Sequence, residues 1–124
     1  MTDHYQTEQE IAAVVAGFEN CTTGKEDFTH LSHLTVATYY LRDSTSDEAF
    51  EKMRNGLFRF LDHHAVAPGK YNEQLTRSWL ALVQDVMAQA NADASLLEVT
   101  NIVLERLEDS RMVVARKDET KALR

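Results

Sequence analysis

Residues 27–42 read Asp27-Phe28-Thr29-His30-Leu31-Ser32-His33-Leu34-Thr35-Val36-Ala37-Thr38-Tyr39-Tyr40-Leu41-Arg42. At about 100° per residue, Leu34, Ala37 and Leu41 share one face of a helix, with Tyr40 at its edge. Phe28 and Tyr39 fall on the other side. A helix that is apolar most of the way round has to be covered on most sides, so this one is expected at the centre of the fold.

Working outward, the flanking segments carry the same period. Upstream, Glu8 to Asn20 places Ile11, Val14, Val15 and Phe18 on one stripe, with Thr7 and Glu10 spaced as a capping box. Downstream, Asp43-Ser44-Thr45-Ser46 is turn chemistry, and Ser46 or Asp47 is the expected cap of a helix from Asp47 to His64. Phe50, Met53, Leu57, Phe60 and Leu61 make its buried stripe. The link Ala65 to Lys70 holds Pro68-Gly69, the clearest break in the chain. A fourth helix, Tyr71 to Ala90, carries Tyr71, Leu75, Ser78, Trp79, Leu82 and Val86 on one stripe and Leu80, Val83 and Met87 on a second. Tyr71 and Trp79 read as core aromatics. Ser95-x-x-Glu98 opens a fifth helix with Leu96, Val99, Val103 and Leu107 inward and Ile102 beside them. Met112, Val113 and Val114 extend it or dock as a short arm. The reading is an all-α, single-domain, compact bundle of about five helices over residues 1–124, with 1–7 and 116–124 loose.

Composition narrows the function. The chain of 124 residues has 13 Lys and Arg against 20 Asp and Glu, a net charge of −7. The phosphate-neutralising term that drives nucleic-acid binding is missing, as is the attraction to an anionic membrane. No run approaches the roughly 18–20 apolar residues that span a bilayer. Met1 to Glu10 lacks the basic start and apolar core of a signal peptide, so a cytoplasmic location is expected. One cysteine, Cys21, allows neither an internal disulfide nor a cysteine-based zinc site. Gly-rich phosphate loops, G-x-S-x-G, EF-hand loops and His-Glu-x-x-His are not found.

Chemistry then rests on the histidines. His30 precedes Leu34, Ala37 and Leu41 by four, seven and eleven residues, so it points with the apolar stripe. His33 lies about 60° away on the same side, and the His30-x-x-His33 spacing lets both imidazoles meet one small object. His64 follows Leu57 and Leu61 on the third helix's buried stripe, while His63 faces solvent. Glu73 precedes Leu80, Val83 and Met87 by seven, ten and fourteen residues, which sets a carboxylate on an apolar stripe. An inward Glu beside an inward His suits acid–base work or metal ligation.

With Phe28-x-His30-x-x-His33-Leu34-x-x-Ala37-x-x-Tyr40-Leu41 and Lys70-Tyr71-Asn72-Glu73 in view, residues 28–82 resemble an uncharacterised small bacterial all-helical family. Its members pair an F-x-H-x-x-H-L helix with a later Y-H-E-T segment. Asn72 stands here where that pattern has His, and Gln74 where it has Thr. The resemblance implies an all-helical fold and brings no activity with it.

Two functions are therefore expected. In one, a buried polar site binds a divalent metal or a small molecule and could be catalytic. His30, His33 and Glu73 would be the metal ligands, and His64 and Asn72 would support the ligand. In the other, the chain is a non-catalytic homodimer or partner-binding module. Its histidines would form a hydrogen-bond network that fixes helix register. Excess apolar surface on the second and fourth helices would then be covered by a second copy.

Overall fold

The computed structural model describes residues 4–67, 69 and 71–107. Five helices run through them: α1 Glu8–Glu19, α2 His30–Asp43, α3 Ser46–His63, α4 Glu73–Gln89 and α5 Leu96–Leu107. No strand occurs among the described residues, and the chain is an all-α bundle as expected. The expected arm at Met112 to Val114 and the expected loose ends at 1–3 and 116–124 lie outside the described residues.

The helices begin where short polar side chains take up the first free backbone amides. Thr7 accepts from Glu10 N at 3.3 Å, and Glu10 reaches back to Thr7 N at 2.9 Å. Ser95 and Glu98 make the same reciprocal pair. At α3 the cap is Thr45, one residue before the expected Ser46 or Asp47. The reason is reciprocal bonding: only Thr45 has Glu48 three residues on, and the two exchange bonds at 3.2 and 3.0 Å. Thr29 and Ser32 start α2 in the same way, so Asp27 and Phe28 belong to the turn before it.

Two helices end in a Schellman motif, each with a non-glycine residue in the left-handed region. At α1, Cys21 has φ 59°, Cys21 N donates to Phe18 O and Thr22 N to Gly17 O. At α3, Ala65 has φ 56°, Ala65 N donates to Asp62 O and Val66 N to Leu61 O. The Cβ of an L residue is crowded there by about 1–2 kcal/mol. Cys21 is buried, whereas Ala65 is exposed and contributes little packing. Ala65→Gly is therefore expected to raise stability by about 1 kcal/mol, read as a later urea midpoint with unchanged slope. No gain, or a loss, would contradict the strain.

Helix α2 is the axis of the molecule. It packs against α1, α3, α4 and α5 alike. Leu34, Thr35, Val36, Ala37, Thr38 and Tyr40 are all buried, which is the all-round burial its sequence calls for. Thr35 and Thr38 turn their hydroxyls back onto the Leu31 and Leu34 carbonyls at 2.8 Å, so neither needs a partner from another helix. Helix α4 packs on α2, α3 and α5.

Aromatic rings join the helices at one end of α2. Phe18 of α1 stacks on Phe28 at 4.8 Å, and Phe60 of α3 lies 5.1 Å from Phe28. Gly56 lets Phe18 approach α3 closely, since a Cβ there would sit 2.5 Å from Phe18 Cε2. The segment 4–7, read from the sequence as loose, is tied to α5. Asn101 Oδ1 accepts from His4 N and Tyr5 N, and Asn101 Nδ2 donates to Tyr5 O. Tyr5 OH donates to Thr35 Oγ1 at 2.9 Å, because that hydroxyl's own proton goes to Leu31 O.

Candidate functional site

Between α2, α3 and α4 lies a pocket of about 220 Å³. His30, His33 and Ala37 line it from α2. Met53, Leu57 and Leu61 line it from α3, Leu75, Thr76, Trp79 and Leu80 from α4, and Tyr71 and Asn72 from the two positions just before α4. A cavity of roughly 150 Å³ with apolar walls holds a benzene ring, so this space takes a molecule of about one ring and a substituent. The wall is mostly hydrocarbon with a few polar groups set into it, the usual make-up of a small-molecule site.

Both histidines of the His30-x-x-His33 pair reach the pocket, as the 3.6-residue period requires. His30 lies against the Trp79 ring at 4.6 Å, and its Nε2 donates to the Leu107 carbonyl at 3.3 Å. A carbonyl only accepts, so Nε2 carries a proton. His33 packs on Phe28 at 4.6 Å. Burial pushes its pKa down to about 4, and the neighbouring His30 adds to the fall. A hydrogen bond to the Thr29 backbone pulls the other way and loses. At neutral pH the His33 ring is uncharged.

Asn72 also faces the pocket, and it holds the start of α4. Its Oδ1 accepts from Leu75 N at 2.8 Å, and its carbonyl accepts from Thr76 Oγ1 at 3.0 Å. Asn72 thus places a helix cap in the pocket wall. Tyr71 and Trp79, read from the sequence as core, are both wall residues. Burial raises the Tyr71 pKa, with the nearby Thr76 hydroxyl opposing it. No described group meets the Tyr71 hydroxyl at hydrogen-bonding geometry.

Two of the expected site residues are elsewhere. Glu73 is exposed and is held by Arg54 at 3.2 Å and by Arg77 at 3.9 Å. Its angle about the helix axis is the expected one, since seven residues make nearly two turns. Those two turns also move it about 10 Å along the axis from Leu80, to a level where α3 presents Arg54. His64 closes α3, where its Nε2 donates to the Thr23 carbonyl at 3.0 Å and its ring rests on Phe60 at 4.4 Å. His64 fastens the α1–α2 link. His63 is exposed, as expected.

The structure therefore brings together His30, His33 and Asn72, adds Tyr71, Thr76 and Trp79, and leaves Glu73 and His64 outside. Among the described residues no group of three or more His, Cys, Asp or Glu is placed to hold a metal ion. Sequence reading passed over Thr76, whose signal was its position between Asn72 and Trp79 on the pocket-facing stripe. Comparison with known proteins finds no matching family model, no similar curated protein and no similar solved structure.

Proposed function

We propose that this chain is a small-molecule-binding helical bundle whose ligand occupies the pocket between α2, α3 and α4. The observation that carries the reading is the meeting of two imidazoles in a mostly apolar space large enough for one ring. Binding is favoured over acid–base catalysis, because a ring held near pKa 4 is a weak base at neutral pH. An organic ligand is favoured over a divalent metal, because the carboxylate that would join the histidines is paired with two arginines.

The test uses phenol as a one-ring probe and Ala37→Leu as the control. Ala37 is buried in the pocket wall, and leucine there fills the space with an isopropyl group. Saturable shifts of α2 and α4 amides on adding phenol are expected in the wild type. In Ala37→Leu they should be lost while the thermal midpoint stays within a few degrees. Absence of saturable binding in the wild type overturns the reading. So does near-stoichiometric metal in chelator-free protein that disappears in His30→Ala, which would install the metal in place of the organic ligand.

One observation favours a second reading, in which the histidines are structural. His30 bonds the last described residue of α5, and His64 bonds the α1–α2 link. In that case His30→Ala costs about 1–3 kcal/mol of stability and phenol binding is never seen.

A further inference from the structure

Aromatic rings line the pocket from two of its sides. His30 and His33 stand on α2, Trp79 stands on α4 and Tyr71 lies just before it. Each is braced by another ring. His30 and Trp79 lean on one another at 4.6 Å, His33 leans on Phe28 at 4.6 Å, and Tyr71 leans on Phe58 at 4.6 Å. All three pairs are tilted and not face to face, as the ring quadrupoles favour. The orientation of these rings is therefore set before a ligand arrives, which lowers the cost of binding. Meanwhile His30, His33, Asn72 and Thr76 already have hydrogen-bond partners within the protein. His30 Nε2 donates to the Leu107 carbonyl, a hydrogen bond ties His33 to the Thr29 backbone, Asn72 caps α4, and the Thr76 hydroxyl donates to the Asn72 carbonyl. With those bonds made, discrimination between ligands falls to the ring surfaces of the wall.

Resting on the binding function proposed above, we propose that the ligand class is a planar aromatic molecule of one ring, selected over a saturated ring of equal size by contact with Trp79. Volume does not make that choice, because about 220 Å³ takes a flat or a puckered six-membered ring. Contact with braced aromatic rings does make it. An aromatic ligand gains edge-to-face and offset contacts that a saturated ring lacks. Trp79 is the wall's largest ring and is only half-buried, and His30 backs its indole. His30 thus acts as a positioning residue, through the tilt it gives Trp79, while its own Nε2 stays bonded to α5.

Calorimetry at neutral pH with phenol and cyclohexanol tests this on the full chain, since both carry one hydroxyl on a six-membered ring. Phenol is expected to bind about 10-fold more tightly, the scale of one or two ring contacts. Emission from Trp79, the chain's one tryptophan, should change saturably with phenol at the calorimetric midpoint. Trp79→Leu is expected to bring the two affinities together, and Trp79→Phe to keep most of the gap. If Trp79→Leu does not fold, the wild-type ratio and Trp79→Phe still decide. Cyclohexanol binding as tightly as phenol overturns the aromatic class while the pocket remains a binding site. A gap undiminished in Trp79→Leu overturns the part given to Trp79. If neither probe binds, the binding function itself fails, and the ligand class goes with it.

Discussion

Phe18→Ala is expected to lower the free energy of unfolding by about 3–5 kcal/mol, the largest single effect in the molecule. Phe18 is fully buried, stacks on Phe28 at 4.8 Å and lies 5.8 Å from Phe60. Its removal takes out the ring that joins α1, the α1–α2 link and α3, and the backbone of three separate segments cannot all relax inward. Urea unfolding measures it. The same ring makes Gly56 intolerant of a side chain. A methyl group there meets Phe18 Cε2 at 2.5 Å and Cζ at 2.7 Å, so Gly56→Ala is expected to cost about 1–3 kcal/mol. In a Phe18→Leu background those atoms are gone and most of the Gly56→Ala cost should vanish. Strict additivity of the two substitutions would show that the close approach does not carry the energy.

Acidification is expected to weaken the fold by about 3 kcal/mol through His33 alone, from about 1.4 kcal/mol per pKa unit. The folded pKa of about 4 lies below the ordinary value of 6.5. Between these values the unfolded chain takes up a proton that the folded one refuses. The contribution is therefore complete above pH 6.5, falls as pH drops, and is lost once pH has passed through about 4. Urea titrations at half-unit intervals should show this slope, and His33→Gln should flatten it between pH 6.5 and 5. A wild-type profile already flat over that interval would mean that the ring is not buried as described.

What the sequence revealed divides by distance. The caps at Thr7 and Ser95 were legible because they are made within four residues, whereas those at Thr29 and Asn72 were passed over, and the shift from Ser46 to Thr45 follows from where Glu48 stands. The all-round burial of α2 was legible from its own period. The inward direction of His30 and His33 was too, because an angle about a helix axis is a local quantity. Glu73 shows the limit of that reasoning. Its angle was right, yet what stands opposite depends on the height of α3, which no count of residues along α4 contains. The pocket was illegible for the same reason. It is a space between three helices, and its walls include Tyr71 and Trp79, whose size made them read as filling. The clamp by Asn101 on residues 96–97 positions away has no local signal at all.

The central place of α2 has a consequence for how the molecule comes apart. Each of the other four helices leans on it, so no seam divides the bundle into halves that could open separately. Removing any one helix exposes part of α2, and removing α2 leaves the others without a common surface. Amide protons in the middle of α2 can then reach solvent only when the whole bundle opens, which makes their exchange rates a direct reading of global stability. A ligand seated against His30 and His33 leans on that same helix. Its binding energy would therefore be felt by the whole bundle at once and not by one corner of it.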